Sequence, residues 1–97
     1  MRIEFLDQAE LDLLAGYHFY EDQEPGLGTY FLTCLYADIE SLRIYAGVHR
    51  KAYKHYHRLL SRRFPFAMFY AFQNGTVFVQ AVLDCRRDPA WTREKLK

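Results

Sequence analysis

Arginine is the residue type in this sequence best suited to bind a phosphate group. One arginine and an arginine pair lie close together in the second half of the chain, and a second pair follows a long apolar segment. A guanidinium group matches the geometry of phosphate oxygens and stays charged at physiological pH. The candidates for binding a phosphate or a polyanionic target are therefore Arg58, Arg62, Arg63, Arg86 and Arg87.

Histidines near the basic region are the candidates for acid–base chemistry. A metal-independent ribonuclease needs a base and a proton donor in addition to cations. His55 and His57 would share one face of a strand, together with His49 nearby, but they are interpreted first as polar strand residues. No acidic or cysteine ligand lies close to them in sequence, so neither a metal site nor a cofactor is expected. No catalytic residue is assigned.

The charge is divided between the two halves of the chain. The 97 residues have a net charge of +1 and form a single domain over 1–97. Residues 1–49 contain two basic and nine acidic groups (2 − 9 = −7), and residues 50–97 contain eleven and three (11 − 3 = +8). A basic half of this kind is compatible with a polyanionic partner. The longest apolar run, Phe64 to Phe72, is too short for a membrane helix, and a cytoplasmic protein without a membrane partner is expected.

The first half predicts a strand followed by two helices. Ile3, Phe5 and Leu6 indicate the strand, and a capping box from Asp7 to Glu10 predicts a helix that begins with Asp7 as its cap. Its apolar stripe is Leu13, Leu14, Tyr17 and Tyr20, and Glu24-Pro25-Gly26 ends it. A second helix runs from about Leu27 to Tyr45, with Gly47 as its C-cap. So short a connection predicts an antiparallel helical hairpin with acidic, solvated outer faces.

The second half predicts three strands. Residues Tyr53 to Ser61 form the first, and Asn74-Gly75 is a strong hairpin signal between Phe64–Gln73 and Thr76–Asp84. Pairing of Gln73 with Thr76 places two apolar sets on opposite faces. One face carries Phe66, Met68, Tyr70, Phe72, Val77, Val79, Ala81 and Leu83, and the other carries Ala67, Phe69, Ala71, Phe78, Gln80 and Val82. The first face should meet the helices, and the second must be covered by the C-terminal segment or by a partner.

Several motifs together resemble a known family. They are Arg58 with Arg62-Arg63-Phe64-Pro65-Phe66, then Met68-Phe69-Tyr70, and Arg87-Asp88-Pro89 after the last strand. From about Ile3 to Trp91 the chain resembles the ParE/RelE toxin superfamily, the small toxins of type II toxin–antitoxin (plasmid stabilisation) systems. The resemblance implies an α+β fold in which an N-terminal strand and an antiparallel helical hairpin pack on an antiparallel sheet, in the order β-α-α-β-β-β.

The resemblance also implies partners and a function. A cognate antitoxin would silence the toxin by docking on exposed sheet surface, for which the candidates are Phe69, Phe78, Gln80 and Val82. ParE-like members inhibit growth by poisoning DNA gyrase, and RelE-like members cut mRNA on the ribosome. Many RelE-like relatives carry His or Tyr after the last strand, where this chain has Asp84-Cys85-Arg86-Arg87. The departure favours gyrase over an mRNA endonuclease, and a degenerate toxin that only binds antitoxin is the third interpretation.

Overall fold

The computed structural model describes residues 1–96 and places two long helices on one side of a five-stranded sheet. The expected α+β order is confirmed, and the structure adds three short elements that were not predicted as separate ones: a helix over Leu42–Tyr45, a strand over Lys51–Tyr53 and a helix over Pro89–Lys95. In chain order the elements are β1 (Arg2–Phe5), α1 (Asp7–Glu21), α2 (Leu27–Glu40), α3 (Leu42–Tyr45), β2 (Lys51–Tyr53), β3 (Tyr56–Leu60), β4 (Phe66–Gln73), β5 (Thr76–Asp84) and α4 (Pro89–Lys95).

The sheet has the order β1-β5-β4-β3-β2. Strands β2 and β3, β3 and β4, and β4 and β5 pair antiparallel, and the single strand predicted from Tyr53 to Ser61 is instead replaced by the short hairpin of β2 and β3. Strand β1 differs from the expected antiparallel sheet, because it pairs parallel to β5 with Ile3 opposite Val77 and Phe5 opposite Val79. The whole helical hairpin and β2 to β4 separate these two strands, and long crossovers of this kind permit parallel pairing.

The start of α1 differs from the capping-box prediction. Leu6, not Asp7, is the N-cap, and no side chain caps the helix there. The amide of Leu6 donates to the carbonyl of Val79 at 3.0 Å, so the sheet ladder fixes the chain up to the residue before the helix. Asp7 and Glu10 lie in the first turn, where their carboxylates interact favourably with the helix dipole.

The turn between the helices is held by Glu21. Its carboxylate accepts hydrogen bonds from the amides of Gly26, at 3.0 Å, and Gly28, at 2.9 Å. Gly26 has a φ of 90°, which the Glu-Pro-Gly break anticipated. The predicted second helix is interrupted at Ser41 and resumes as α3. The C-cap of α3 is Ala46 and not Gly47, which follows the cap with a φ of 88°.

A β-bulge corrects the predicted register of the last hairpin. Gln73 pairs with Thr76 and Tyr70 with Val79, as predicted, but Phe69 pairs with Ala81. Gln80 is therefore left without a partner, and every later residue of β5 changes face. Ala81 and Leu83 were expected on the helix-facing side of the sheet, and the structure places them on the second side, while Val82 moves in the opposite direction.

Two apolar clusters lie on the two sides of the sheet. The helix-facing side buries Leu13, Phe31, Leu35, Met68 and Tyr70 among others, whereas Leu14 of the predicted stripe is exposed. On the second side α4 covers part of the sheet. Its end buries Leu96 against Ala67, Phe69, Ala81 and Leu83, with Trp91 packed alongside. The C-terminal segment, one of the two covers expected, thus shields part of the second side in the isolated chain.

Candidate functional site

A cleft of about 230 Å³ lies between α4 and the second side of the sheet. Three arginines from different elements line it: Arg58 of β3, Arg87 of the turn after β5, and Arg93 of α4. Its other lining residues are Ala52, Tyr53, Ala67, Phe69, Leu83, Asp84, Cys85, Pro89 and Thr92. A lining that combines three arginines with Ala67, Phe69 and Leu83 suits an anionic group attached to a less polar body. We call this feature the arginine cleft.

The turn that carries Arg87 is fixed by α4. The Asp88 carboxylate accepts a hydrogen bond from the amide of Ala90 at 2.8 Å, and Pro89 occupies the first turn, so the helix is capped in the preferred way. The guanidinium carbon of Arg87 lies 4.3 Å from the centroid of the Trp91 ring, a cation–π contact. The segment that carries Arg87 is therefore short and well supported, and the Arg87 guanidinium lies against the Trp91 ring.

Arg58 is positioned by two neighbouring strands. It is opposite Phe69 in the pairing of β3 with β4, and its amide donates to the carbonyl of Arg50 at 3.2 Å. Because successive strand residues point to opposite sides, Arg58 shares the second side with Phe69 while His57 faces the helices. Burial raises the pKa of the Cys85 thiol in this cleft and Arg58 opposes that shift, so the thiol stays protonated at neutral pH.

Arg86 is not part of the arginine cleft. Its guanidinium forms hydrogen bonds with both oxygens of Asp84, at 3.0 and 2.8 Å, and its amide donates to the same carboxylate at 2.8 Å. These hydrogen bonds are the main reason that the pKa of Asp84 is below its ordinary value. Arg86 also lies beside the hydroxyl of Tyr20 on α1. Its charge is thus largely compensated by Asp84.

Arg62 and Arg63 lie in a third place, the exposed loop between β3 and β4. The Asp38 carboxylate on α2 holds this loop through the Ser61 hydroxyl at 2.9 Å and the Arg62 amide at 3.2 Å. The Arg62 guanidinium is 3.9 Å from that carboxylate. The five predicted arginines are therefore divided among three locations, and only Arg58 and Arg87 meet.

Sequence reasoning did not identify Arg93 as a member of the site. The signal was present, because Asp88-Pro89 is a helix-start pattern. Helical spacing then brings Pro89, Thr92 and Arg93 to one face, and all three line the cleft.

The four candidate antitoxin-binding residues do not form one surface. Phe69 is 4% exposed beneath α4, and Val82 is 2% exposed in the helix-facing core. Phe78 and Gln80 are half-buried on β5. The bulge explains the separation, since it moves Val82 to the other side of the sheet.

A second apolar surface lies on the outside of the helical hairpin, where solvated faces were expected. Leu11, Leu14 and Tyr36 are 60%, 52% and 47% exposed. They line an open groove with Leu32 and the acidic Asp7 and Glu10. The outer face is thus acidic, as expected, but it also carries exposed apolar side chains.

The histidines are distributed differently from the prediction. A turn with Lys54 at a φ of 51° separates β2 from β3, so His55 lies in the turn and does not share a strand face with His57. Within residues 1–96, no group of three or more His, Cys, Asp or Glu side chains could hold a metal ion. No helix in that range is long and apolar enough to cross a membrane.

Comparison with known proteins identifies the fold. No protein-family model matches the sequence, and no curated protein matches it. Among solved structures, the chain is similar to one from the "Chromosomal ParDE TA system from P. aeruginosa", with a TM-score of 0.77 and 16% sequence identity. The similarity covers 84% of this chain and 92% of that chain. The chain therefore has a ParE-like fold, which confirms the fold that the motifs implied.

Proposed function

We propose that this protein is the toxin of a type II toxin–antitoxin system, held silent in the cytoplasm by a cognate antitoxin. The observation that carries the proposal is the ParE-like fold shared, over 84% of the chain, with a protein from a ParDE toxin–antitoxin system. The arginine cleft adds a surface suited to an anionic target.

The chemistry of the cleft supports target binding without catalysis, as in inhibition of DNA gyrase. No histidine is among the described residues that line the cleft. Asp84 is hydrogen-bonded to Arg86 and has a lowered pKa, so it stays ionised and is a poor proton donor. Cys85 has a raised pKa and stays protonated, so it is a poor base. Arg58, Arg87 and Arg93 can bind and orient phosphates, but they supply no proton transfer at neutral pH.

A RelE-like mRNA endonuclease is the second candidate, because the same three arginines could clamp the phosphates of RNA. The third is a degenerate toxin that retains only antitoxin binding. We assign antitoxin contact first to Phe78 and Gln80, which are accessible in the free chain, and to Phe69 once α4 moves. Val82 is buried in the helix-facing core, so we do not assign antitoxin contact to it.

The experiment is induction of the chain alone in bacteria, followed by two readouts. Inhibition of gyrase predicts induction of the DNA-damage (SOS) response with intact mRNA. An mRNA endonuclease predicts codon-phased cuts in primer extension, with no such response. Codon-phased cuts in the mRNA would overturn the assignment of gyrase as the target. Normal growth of cells that contain the folded protein would overturn the toxin assignment and leave only antitoxin binding.

A further inference from the structure

A cluster of two histidines and a tyrosine joins the loop before β2 to the middle of the sheet. The hydroxyl of Tyr70 on β4 lies 2.6 Å from Nδ1 of His49 and accepts a hydrogen bond from the amide of Gly47 at 3.1 Å. Nδ1 of His57 on β3 lies 2.6 Å from the carbonyl oxygen of His49. The rings of His57 and Tyr70 are stacked, with centroids 5.1 Å apart.

A neutral His49 is the protonation state in which every donor of the cluster has an acceptor. A phenol has a single proton, and the Tyr70 hydroxyl already accepts one hydrogen bond from Gly47. Among residues 1–96 its other hydrogen-bond partner is His49, so the buried Tyr70 donates to an unprotonated Nδ1. If His49 were protonated at Nδ1, this nitrogen and the Gly47 amide would both donate to the phenol oxygen, and the phenol proton would lose its acceptor.

The surroundings of His49 oppose its protonation. The titratable groups that face it are Tyr70 from β4 and His57 from β3, and no carboxylate within residues 1–96 pairs with it. Burial is the main reason that the pKa of His49 is below its ordinary value of 6.5, and the charge of His57 adds to the effect. A carbonyl oxygen can only accept, so Nδ1 of His57 is the donor in its hydrogen bond to His49.

The cluster and the arginine cleft use the same strands from opposite sides. His57 and Tyr70 face the helices, and their sequence neighbours Arg58 and Phe69 face the cleft. The loop that His49 anchors leads into β2, whose residues Ala52 and Tyr53 form a wall of the cleft. Strand β2 is a three-residue edge strand with an irregular register, so few other contacts hold it.

We propose that His49, Tyr70 and His57 form a proton-sensitive clasp, which holds β2 against β3 when His49 is neutral and releases it when His49 is protonated. Release of β2 loosens one wall of the arginine cleft. The clasp is a property of the fold and does not rest on the proposed toxin function.

Amide hydrogen exchange of the purified protein tests the clasp, with exchange followed by NMR at about pH 7.5 and about pH 5.5, on either side of the ordinary histidine pKa. The reporter is the Arg58 amide on β3, which donates to the carbonyl of Arg50, the residue that directly precedes β2. After correction for intrinsic exchange, the protection of this amide should fall as the pH is lowered. The fall should be up to about tenfold per pH unit between pH 6.5 and the lowered pKa of His49. Amides within β4 and β5 should keep their protection.

Two variants and a control make the test specific. His49→Asn keeps an acceptor for Tyr70 without a titration, so protection of the Arg58 amide should be the same at both pH values. Tyr70→Phe removes the phenol, so protection should be low at both. His18→Asn alters an exposed histidine on α1 and should leave the wild-type fall unchanged. The proposal would be overturned if the Arg58 amide of the wild type were equally protected at both pH values. It would also be overturned if the protection of this amide fell as much in His49→Asn or Tyr70→Phe as in the wild type.

Discussion

The backbone amide of Val82 donates a hydrogen bond of 2.9 Å to the carboxylate of Asp12, joining the middle of α1 to β5 just beyond the bulge. Strand β1 ends at Phe5, opposite Val79, so this part of β5 has no strand on its outer edge. Asp12 supplies the partner that β1 does not, and Gln8 donates to the same carboxylate at 2.7 Å. The Asp12 carboxylate on α1 thus takes the place of a neighbouring strand as hydrogen-bond acceptor, just after the bulge in β5.

Asp12→Ala should destabilise the fold by about 1–3 kcal/mol, because it leaves the Val82 amide without its acceptor in a largely buried position. Asp12→Asn is the matched control, since its amide oxygen can still accept. Burial raises the pKa of Asp12, so the ionised form is disfavoured in the folded state and the neutral asparagine should retain near wild-type stability at pH 7. Urea unfolding measures both, and equal losses in the two variants would contradict the role assigned to this hydrogen bond.

Removal of single charges from the arginine cleft should weaken target binding without unfolding the protein. A lost hydrogen bond between charged groups corresponds to about 10- to 100-fold in affinity, so Arg58→Ala, Arg87→Ala and Arg93→Ala should each relieve growth inhibition. Arg2→Ala, on β1 and outside the cleft, is the control and should remain toxic. Growth after induction, at matched protein levels by immunoblot, provides the readout. If all three cleft variants inhibited growth as strongly as the wild type, the arginine cleft would not be part of the target interface.

Leu96→Ala should cost about 2 kcal/mol of unfolding free energy, because the side chain is fully buried beneath the end of α4. Leu60→Ala is the matched control, because it is the same substitution at a residue that is 54% exposed. It should change the free energy of unfolding by less than about 0.5 kcal/mol. Thermal unfolding followed by circular dichroism distinguishes them. Similar melting temperatures for the two variants would show that α4 does not pack on the sheet in solution.

Asp84 should contribute to the loss of stability in acid. Its folded-state pKa is lowered, chiefly by hydrogen bonds from Arg86, so its contribution is present above its ordinary value of 3.8 and is lost as the pH falls through the lowered pKa. Asp84→Asn should therefore be less stable than the wild type at pH 7, and the difference should shrink toward low pH. Urea unfolding at several pH values measures the difference, and a constant difference would contradict the assignment.

The periodicity of the sequence predicted the helices and strands that bury large apolar surfaces. It did not predict the β-bulge, where one unpaired residue changes the side of the sheet on which the following residues lie. Asn74-Gly75 set the hairpin register correctly as far as Tyr70 and Val79. Nothing in the local pattern marks Gln80 as a bulge, because both sides of β4 and β5 are apolar and either register buries them. The bulge is favoured by tertiary contacts, notably the Asp12–Val82 hydrogen bond, which links residues 70 positions apart.

The same limit applies to the candidate site. Arg58 and Arg87 were identified from residue type, but their proximity depends on strand pairing and on α4. Arg86, next in sequence to Arg87, is instead paired with Asp84. Residue type alone does not distinguish a cation held by a carboxylate from one that lines a cleft.

The most direct test of the proposed function is the viable count of bacteria after induction of this chain, with and without co-expression of its cognate antitoxin, sought in the neighbouring small open reading frame. Colony formation should fall when the chain is induced alone and return when the antitoxin is present. Unchanged colony formation in cells that accumulate soluble, folded protein would contradict it.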